Sequence, residues 1–366
     1  MGRAKYRVAL IGSGMVANAG HIPAWKNLKD DVEIVAVADL LPDRAELIAR
    51  TEGIPHAYGD WRRMLAEQAP DIVSVATPNV YHKEQTLTAL QAGAHVLVEK
   101  PIATSHADAR AMFEAAQAAG RVLLVCQSLR FLNEPIAARE IVASGRLGGI
   151  YFAEGIGMRR RGIPKWGQFH MKAHSGGGPV YDLGVHLLDR MLWIMGFPKV
   201  KSVSGATFRK FGHRDEGILT SLEDSGAPLG VLTPRPYDYR EFDVEDMAVG
   251  MIRLADGGVI SFRTGWAANI PTNVWTSSFL GTEGGLQLDP LRLVGNMGRH
   301  QVDITPHVPP DRAVTFCGHW GATEHFINVL RGREELLVRP DEVLAVMRVL
   351  DAIYESAAKG QEIVLE

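Results

Sequence analysis

Ile11-Gly12-Ser13-Gly14-Met15-Val16-Ala17 does more than any other segment to narrow the folds open to this chain. It follows a short apolar run, Arg7 to Ile11, that reads as a strand, and it leads into a helix predicted from about Met15. The glycines fit a G-x-G-x-x-A turn. Gly12 permits the tight reversal, Gly14 lets backbone approach a pyrophosphate, and Ala17 lets helix and strand pack closely. The backbone of Ser13, Met15 and Val16 then offers free N–H groups to phosphate oxygens at a helix start. A second strand, Glu33 to Ala38, ends in Asp39, where an acid bonds the adenosine ribose hydroxyls. A carboxylate there repels a 2′-phosphate, so NAD is favoured over NADP, although Arg44 is near enough to oppose that preference.

The strand–helix alternation continues. Asp71–Ala76, His95–Glu99 and Val122–Cys126 read as strands; Pro42–Arg50, Tyr81–Ala92 and Ser105–Ala119 read as helices. Strands this short and apolar belong to a parallel sheet covered on both faces. After about Gln127 the pattern changes, dividing the chain into residues 1–127 and 128–366. Glu134–Ser144 and Pro179–Met195 read as helices, and Thr323–Arg331 and Asp341–Lys359 as closing helices. Gly149–Met158, Val200–Phe211, Met247–Leu254, Val259–Trp266, Val274–Gly281 and Leu286–Leu288 read as strands. The fold class is thus an α/β Rossmann domain followed by an α+β domain with a large, mainly antiparallel open sheet. Gly212–Asp243 reads as a long loop or insertion. A chain of 366 residues suits two domains, and its formal charge of −3 carries no basic excess for nucleic acid. Two cysteines, Cys126 and Cys317, are too few for a disulfide framework or a structural zinc site. Neither a signal peptide nor a membrane span is legible, so the cytoplasm is the expected compartment.

Ligands of parallel sheets bind beyond the carboxyl ends of the strands. Thr77-Pro78-Asn79 follows the third strand there, Glu99-Lys100-Pro101 the fourth, and Gln127 and Arg130 the fifth. Lys100 would point toward the nicotinamide, and Gln127 and Arg130 would reach that side. Asp182 and His186, four apart, share a helical face. Arg159-Arg160-Arg161 would either bind an anionic group of a ligand or form a solvated strand end, and Trp166 would either cover the nicotinamide or stack on a ring. His170, Lys172 and His174 are unranked candidates, whereas His319, Trp320, Glu324 and His325 suit core or interface roles. Asp182, His186 and Asp189 have spacing compatible with a metal site; no metal is expected, and Asp189 reads as structural. Gly184, inside the same helix, suggests close packing against nicotinamide or substrate.

The GSGMVA turn, the Thr77-Pro78-Asn79 block with His82 three residues on, Glu99-Lys100-Pro101, and the run Ser175-Gly176-Gly177-Gly178-Pro179-Val180-Tyr181-Asp182-Leu183-Gly184-Val185-His186 resemble the Gfo/Idh/MocA oxidoreductases. These comprise glucose–fructose oxidoreductase, inositol dehydrogenase and rhizopine-catabolism enzymes. The resemblance runs through nearly the whole chain, although Gly212–Asp243 is longer than it implies. It implies reversible hydride transfer between NAD and a carbinol of a sugar, glycoside, inositol or related polyol. Lys100, Asp182 and His186 match its catalytic positions, and these with Arg130, Arg159 and Trp166 are the candidate substrate contacts. Thr77, Pro78, Asn79, His82, Glu99, Lys100, Gln127 and Trp166 join the glycine turn, Asp39 and Arg44 as cofactor contacts. In that reading His186 takes the hydroxyl proton, Lys100 holds the reacting oxygen, and Asp182 either orients the imidazole or bonds a substrate hydroxyl. The resemblance also implies a homo-oligomer, dimer or tetramer, built through the second sheet. Two other activities stay open: a tightly held NAD recycled in internal redox or redox-assisted elimination, and a non-catalytic NAD-binding regulator.

Overall fold

Residues 5–214, 229–314 and 316–365 are described in a computed structural model. β1 (Tyr6–Ile11) leads through the glycine turn to a five-residue π-turn, Ala17–His21, and only then to α1 (Ile22–Asn27). The expected single helix is interrupted because Pro23, in the first turn of α1, has no N–H to continue the ladder backward. β2 (Val32–Ala38) and α2 (Pro42–Glu52) follow as expected. β3 (His56–Tyr58) and α3 (Trp61–Gln68) were not anticipated. The strand has three residues and no apolar run. The helix does carry a signal, for Asp60 caps it and Trp61, Met64 and Leu65 form its buried face. Then come β4 (Ile72–Val75), α4 (His82–Gln91), β5 (His95–Val98), α5 (His106–Ala118) and β6 (Leu123–Val125). All six strands are parallel, in the order β3-β2-β1-β4-β5-β6. The order reverses between β1 and β4, which opens a crevice beyond their carboxyl ends.

The second sheet follows α6 (Asn133–Ala143). Its strands are β7 (Ile150–Met158), β8 (Val200–Phe208), β9 (Met247–Leu254), β10 (Val259–Gly265), β11 (Val274–Gly281), β12 (Gly284–Leu288), β13 (Arg292–Met297), β14 (His300–Asp303) and β15 (Ile363–Val364). Their order is β14-β13-β12-β11-β7-β10-β9-β8-β15. Every pair is antiparallel except β7 with β10, so the sheet is mixed but mostly antiparallel. The β13–β14 hairpin and β15 were not anticipated. Between β7 and β8 lie the short α7 (Lys172–Ser175), a second π-turn (Val180–Gly184) and α8 (Val185–Ile194). The expected helix over Pro179–Met195 is therefore split, with Asp182 in the widened turn and His186 in the α-helix. Gly184 does allow close packing, but against Phe262 of β10, whose ring a β-carbon would meet at 2.7 Å, and not against a ligand. α9 (Cys317–Leu330) starts six residues before its expected Thr323, and α10 (Pro340–Lys359) closes the chain. Of the expected Gly212–Asp243 loop, residues 215–228 lie outside the described residues. No helix among the described residues is long and apolar enough to cross a membrane.

Arg130 is a correction to the sequence reading. It is fully buried and donates to both oxygens of Asp189, at 2.9 and 2.7 Å, and to Glu342. This ties the turn after β6 to α8 and α10, so the guanidinium is spent on structure and lines neither of the two cavities described below. Asp189 is structural, as expected. Burial pushes its carboxyl above the usual range, with Arg130 pulling the other way. Replacing Arg130 with Met leaves two buried carboxylates without their cation. The expected loss is about 3–5 kcal/mol, read from the urea midpoint at constant slope; a change below about 1 kcal/mol would contradict this role.

Candidate active site

The crevice beyond β1, β2 and β4 holds a cavity of about 730 Å³ lined by Gly12 to Val16, Asp39, Arg44, Thr77 to Asn79 and Trp166. Gly12 has φ +97°, and a β-carbon there would lie 2.5 Å from the Ala76 carbonyl oxygen, so the turn admits only glycine. Nothing lies within 4 Å of a β-carbon built on Gly14, which leaves room for a phosphate against its backbone. Asp39 Oδ2 accepts from Ser13 N at 3.0 Å and Ser13 Oγ at 2.8 Å, and Oδ1 from Leu41 N at 3.0 Å. The turn and Asp39 are thus one hydrogen-bonded unit at the mouth of a groove.

Sequence reasoning missed the far wall of this cavity. Gly230 to Pro236, within the segment expected to be a plain loop, line it. Arg44 Nε donates to Thr233 Oγ1 at 2.6 Å and Asn18 Nδ2 to the Gly230 carbonyl at 3.0 Å, while within the second domain Arg235 N donates to the Trp166 carbonyl at 3.0 Å. The second domain therefore bonds across the groove. Arg44 stays 3.8 Å from Asp39 Oδ2 but is held by Thr233. Nothing in the local sequence of 229–236 announces this, because the partners lie about two hundred residues away.

A second cavity, of about 430 Å³, shares Met15, Val16, Thr77, Asn79, Phe169 and Ser175 with the first. Glu99, Lys100, Arg159, Asp182, His186 and His319 line it. The end of β5 supplies Lys100, whose Nζ donates to the Asp182 carbonyl at 2.9 Å and approaches Oδ1 at 3.3 Å. Trp266 Nε1 donates to Asp182 Oδ2 at 2.8 Å. Burial pushes the Asp182 carboxyl up, but Lys100, Arg159 and the indole together outweigh it and hold it below its ordinary value. His186 is part-buried, and its shielded Nδ1 has no hydrogen-bond partner among the described residues. Burial, then the Lys100 charge, drive its imidazole well below the usual range, so it is neutral at neutral pH. This is a base-competent imidazole beside a fixed ammonium.

Glu99 Oε1 accepts from His21 Nε2 at 2.8 Å and from His319 Nε2 at 3.1 Å, while Oε2 accepts from Lys100 N at 3.1 Å. Burial raises the Glu99 carboxyl, yet the two imidazoles bring it well below its ordinary value. Together with Cys126 these groups have the donor types of a metal site. Two N–H groups already converge on Oε1, however, so the arrangement is a hydrogen-bond hub centred on the carboxylate.

Other expectations need correction. His82 lines neither cavity; its buried ring bridges the Thr77 carbonyl at 2.8 Å and the Pro101 carbonyl at 2.9 Å, clamping two strand-end loops together. Gln127 is buried where the chain turns into the Ser128–Phe131 3-10 turn, and it too lines neither cavity. Arg160 and Arg161 fit the solvated strand end, Arg161 bonding the Ala268 carbonyl at 2.8 Å. His174 bonds Tyr81, and His170 is buried beside Tyr237; neither reaches a cavity, nor does Lys172. Glu324 pairs with Arg312 and His325 with Glu334, but His319, expected in a core or interface role, lines the second cavity.

Similar proteins point the same way. The family model described as "Oxidoreductase family, NAD-binding Rossmann fold" matches residues 6–127, and its companion "Oxidoreductase family, C-terminal alpha/beta domain" matches residues 139–365. The D-glucoside 3-dehydrogenase of Escherichia coli (strain K12) is 34% identical over 98% of this chain and 97% of its own length. The crystal structure of GenD2 from gentamicin A biosynthesis, in complex with NAD, has a TM-score of 0.78 at 25% identity, covering 100% of this chain and 98% of that one. A levoglucosan dehydrogenase bound to NADH and levoglucosan shares the fold, with a TM-score of 0.82 at 22% identity over 99% of each chain. Given the hydrogen-bonded Asp39, Asp39→Asn is expected to keep the turn but reduce the preference for NAD over NADP by about tenfold or more. The ratio of the two dissociation constants measures this, and an unchanged ratio would remove Asp39 from the role.

Proposed function

This chain belongs to the Gfo/Idh/MocA oxidoreductase family, and we propose that it is an NAD-dependent dehydrogenase of a glycoside or related neutral sugar. The observation that carries this reading is the placement of Lys100, Asp182 and His186 around one cavity continuous with the dinucleotide groove. When bound, NAD supplies the hydride acceptor at its nicotinamide ring. Neutral His186 takes the proton of the substrate hydroxyl as the carbinol is oxidised. The Lys100 ammonium holds the same oxygen and stabilises the negative charge that develops on it. Asp182, fixed by Trp266, holds Lys100 in place, and the partly buried setting strengthens both interactions.

The charge of the cavity wall bears on the substrate class. Lys100 and Arg159 face the ionised Asp182 and Glu99, so the formal charges balance. A wall of this kind suits an uncharged polyhydroxy compound better than a phosphate or an acid, and Arg159 is better read as part of that balance than as an anion receptor. Similarity to a D-glucoside 3-dehydrogenase over almost the full length supports the same choice. The uncovered face of the second sheet carries Met251 and Leu280, 38% and 41% exposed, which supports a homo-oligomer through that face.

A second reading of the cofactor is favoured by the Gly230–Pro236 wall. Its bonds to Asn18 and Arg44 span the groove, so the cofactor would leave slowly and, once reduced to NADH, could be reoxidised in place by the carbonyl group of a second sugar. Spectral change at the NADH band on adding sugar to protein without added NAD would support it.

Lys100→Ala and His186→Ala are each expected to lower turnover about 10²–10⁴-fold while NAD binding stays near normal. Near-normal turnover in either would sink its assignment. The pH profile gives an independent check. Because burial and Lys100 lower the His186 value, the base form persists as pH falls below the free-imidazole value of about 6.5. The acid limb of kcat/KM is expected below that pH, and a limb at or above it would contradict the role.

A further inference from the structure

We propose that His319 is a substrate-binding residue whose imidazole, oriented by Glu99, accepts a hydrogen bond at Nδ1 from a substrate hydroxyl beside the reacting carbon. The inference rests on the dehydrogenase reading and adds a recognition element from the far end of the chain.

His319 lines the same cavity as Lys100, Asp182 and His186. Its Nε2 lies 3.1 Å from Glu99 Oε1. A carboxylate oxygen only accepts, so Nε2 carries a proton, and in the neutral tautomer Nδ1 keeps the lone pair. His319 is 6% exposed, and its shielded Nδ1 has no hydrogen-bond partner among the described residues. A buried acceptor left unpaired is costly, and at a ligand cavity the natural partner is a ligand hydroxyl. The ring's orientation agrees. A β-carbon built on Gly20 would lie 2.9 Å from His319 Cδ2 and 3.2 Å from Nε2, so that edge rests on the first π-turn. Nδ1 is on the opposite edge, turned away from it.

The position is also rigid. A β-carbon on Gly318 would meet the Ser128 carbonyl oxygen at 2.3 Å, which locks the start of α9 against the turn after β6. Phe316 closes the other side, edge-on to the ring at 5.3 Å between centroids. A preorganised acceptor facing a sugar cavity reads one hydroxyl. It supplies no chemistry of its own, and the proton of the reacting hydroxyl goes to His186.

Two near-isosteres separate this role from a merely supporting one. Gln reproduces the Nε2 arm to Glu99 and lacks a group at the Nδ1 position. Asn places an amide oxygen near the Nδ1 position and lacks the arm. The probes are methyl glucoside and its monodeoxy analogues, with kcat/KM measured for wild type, His319→Gln and His319→Asn, and NADH binding as the folding control. Among the analogues that keep the reacting hydroxyl, wild type is expected to disfavour one by about tenfold or more. His319→Gln is expected to lose about that factor on the parent sugar, to erase the discrimination and to bind NADH normally. His319→Asn is expected to retain part of the discrimination. A Gln variant that behaves as wild type while Asn collapses would show that the ring acts only through Glu99, overturning the proposal. Equal wild-type kcat/KM on every analogue that keeps the reacting hydroxyl would overturn it even if neither variant folds. Absence of wild-type turnover on any sugar would overturn the dehydrogenase reading and this inference with it, an outcome distinct from the other two.

Discussion

The contact between Lys100 Nζ and Asp182 joins the two halves of the active cavity. Lys100 stands at the carboxyl end of β5, where a parallel sheet must deliver its ligand-facing residues. Asp182 stands in a π-turn on the second sheet's side. The widened turn presents both its carbonyl and its carboxylate to one ammonium, and it places His186 four residues on, at the start of α8. If this contact were lost, the His186 imidazole and the Lys100 ammonium would have no fixed relation to each other.

Burial makes that contact expensive, and the surrounding groups offset the cost. Desolvation is the largest influence on Asp182, Glu99 and His186 alike. Each carboxylate stays ionised because specific groups face it: the Lys100 and Arg159 charges and the Trp266 indole for one, His21 and His319 for the other. His186 has no hydrogen-bond acceptor at Nδ1 among the described residues, and burial with the Lys100 charge keeps it neutral. Two ionised acids and a neutral imidazole therefore coexist in one cavity because the groups around them differ, although all three are buried or part-buried.

The first domain was largely legible because its signals are local. The glycine turn, Asp39 and the strand-end blocks each lie within a few residues of the geometry they impose. The His21–Glu99–His319 hub was not legible, since it joins the first helical turn, a strand end and a helix start more than two hundred residues away. Arg130 was misread for the same reason. Its position after β6 suggested the ligand, but Asp189 and Glu342 claim it from two helices that only tertiary packing brings near. Residues 230–236 show the converse, a segment without periodicity that closes the groove because of where its ends are anchored. Trp61, Met64 and Leu65 carried a helical spacing that reading could have found.

The central claim is direct hydride transfer from a sugar carbinol held by Lys100 and His186. The most direct measurement is isotopic. Methyl glucoside carrying deuterium at each ring carbinol in turn is incubated with the protein and NAD, and the NADH formed is examined by NMR. The account predicts deuterium at C4 of the nicotinamide from one labelled position, on one face only. NADH free of deuterium from every labelled position, despite sugar oxidation, would contradict it.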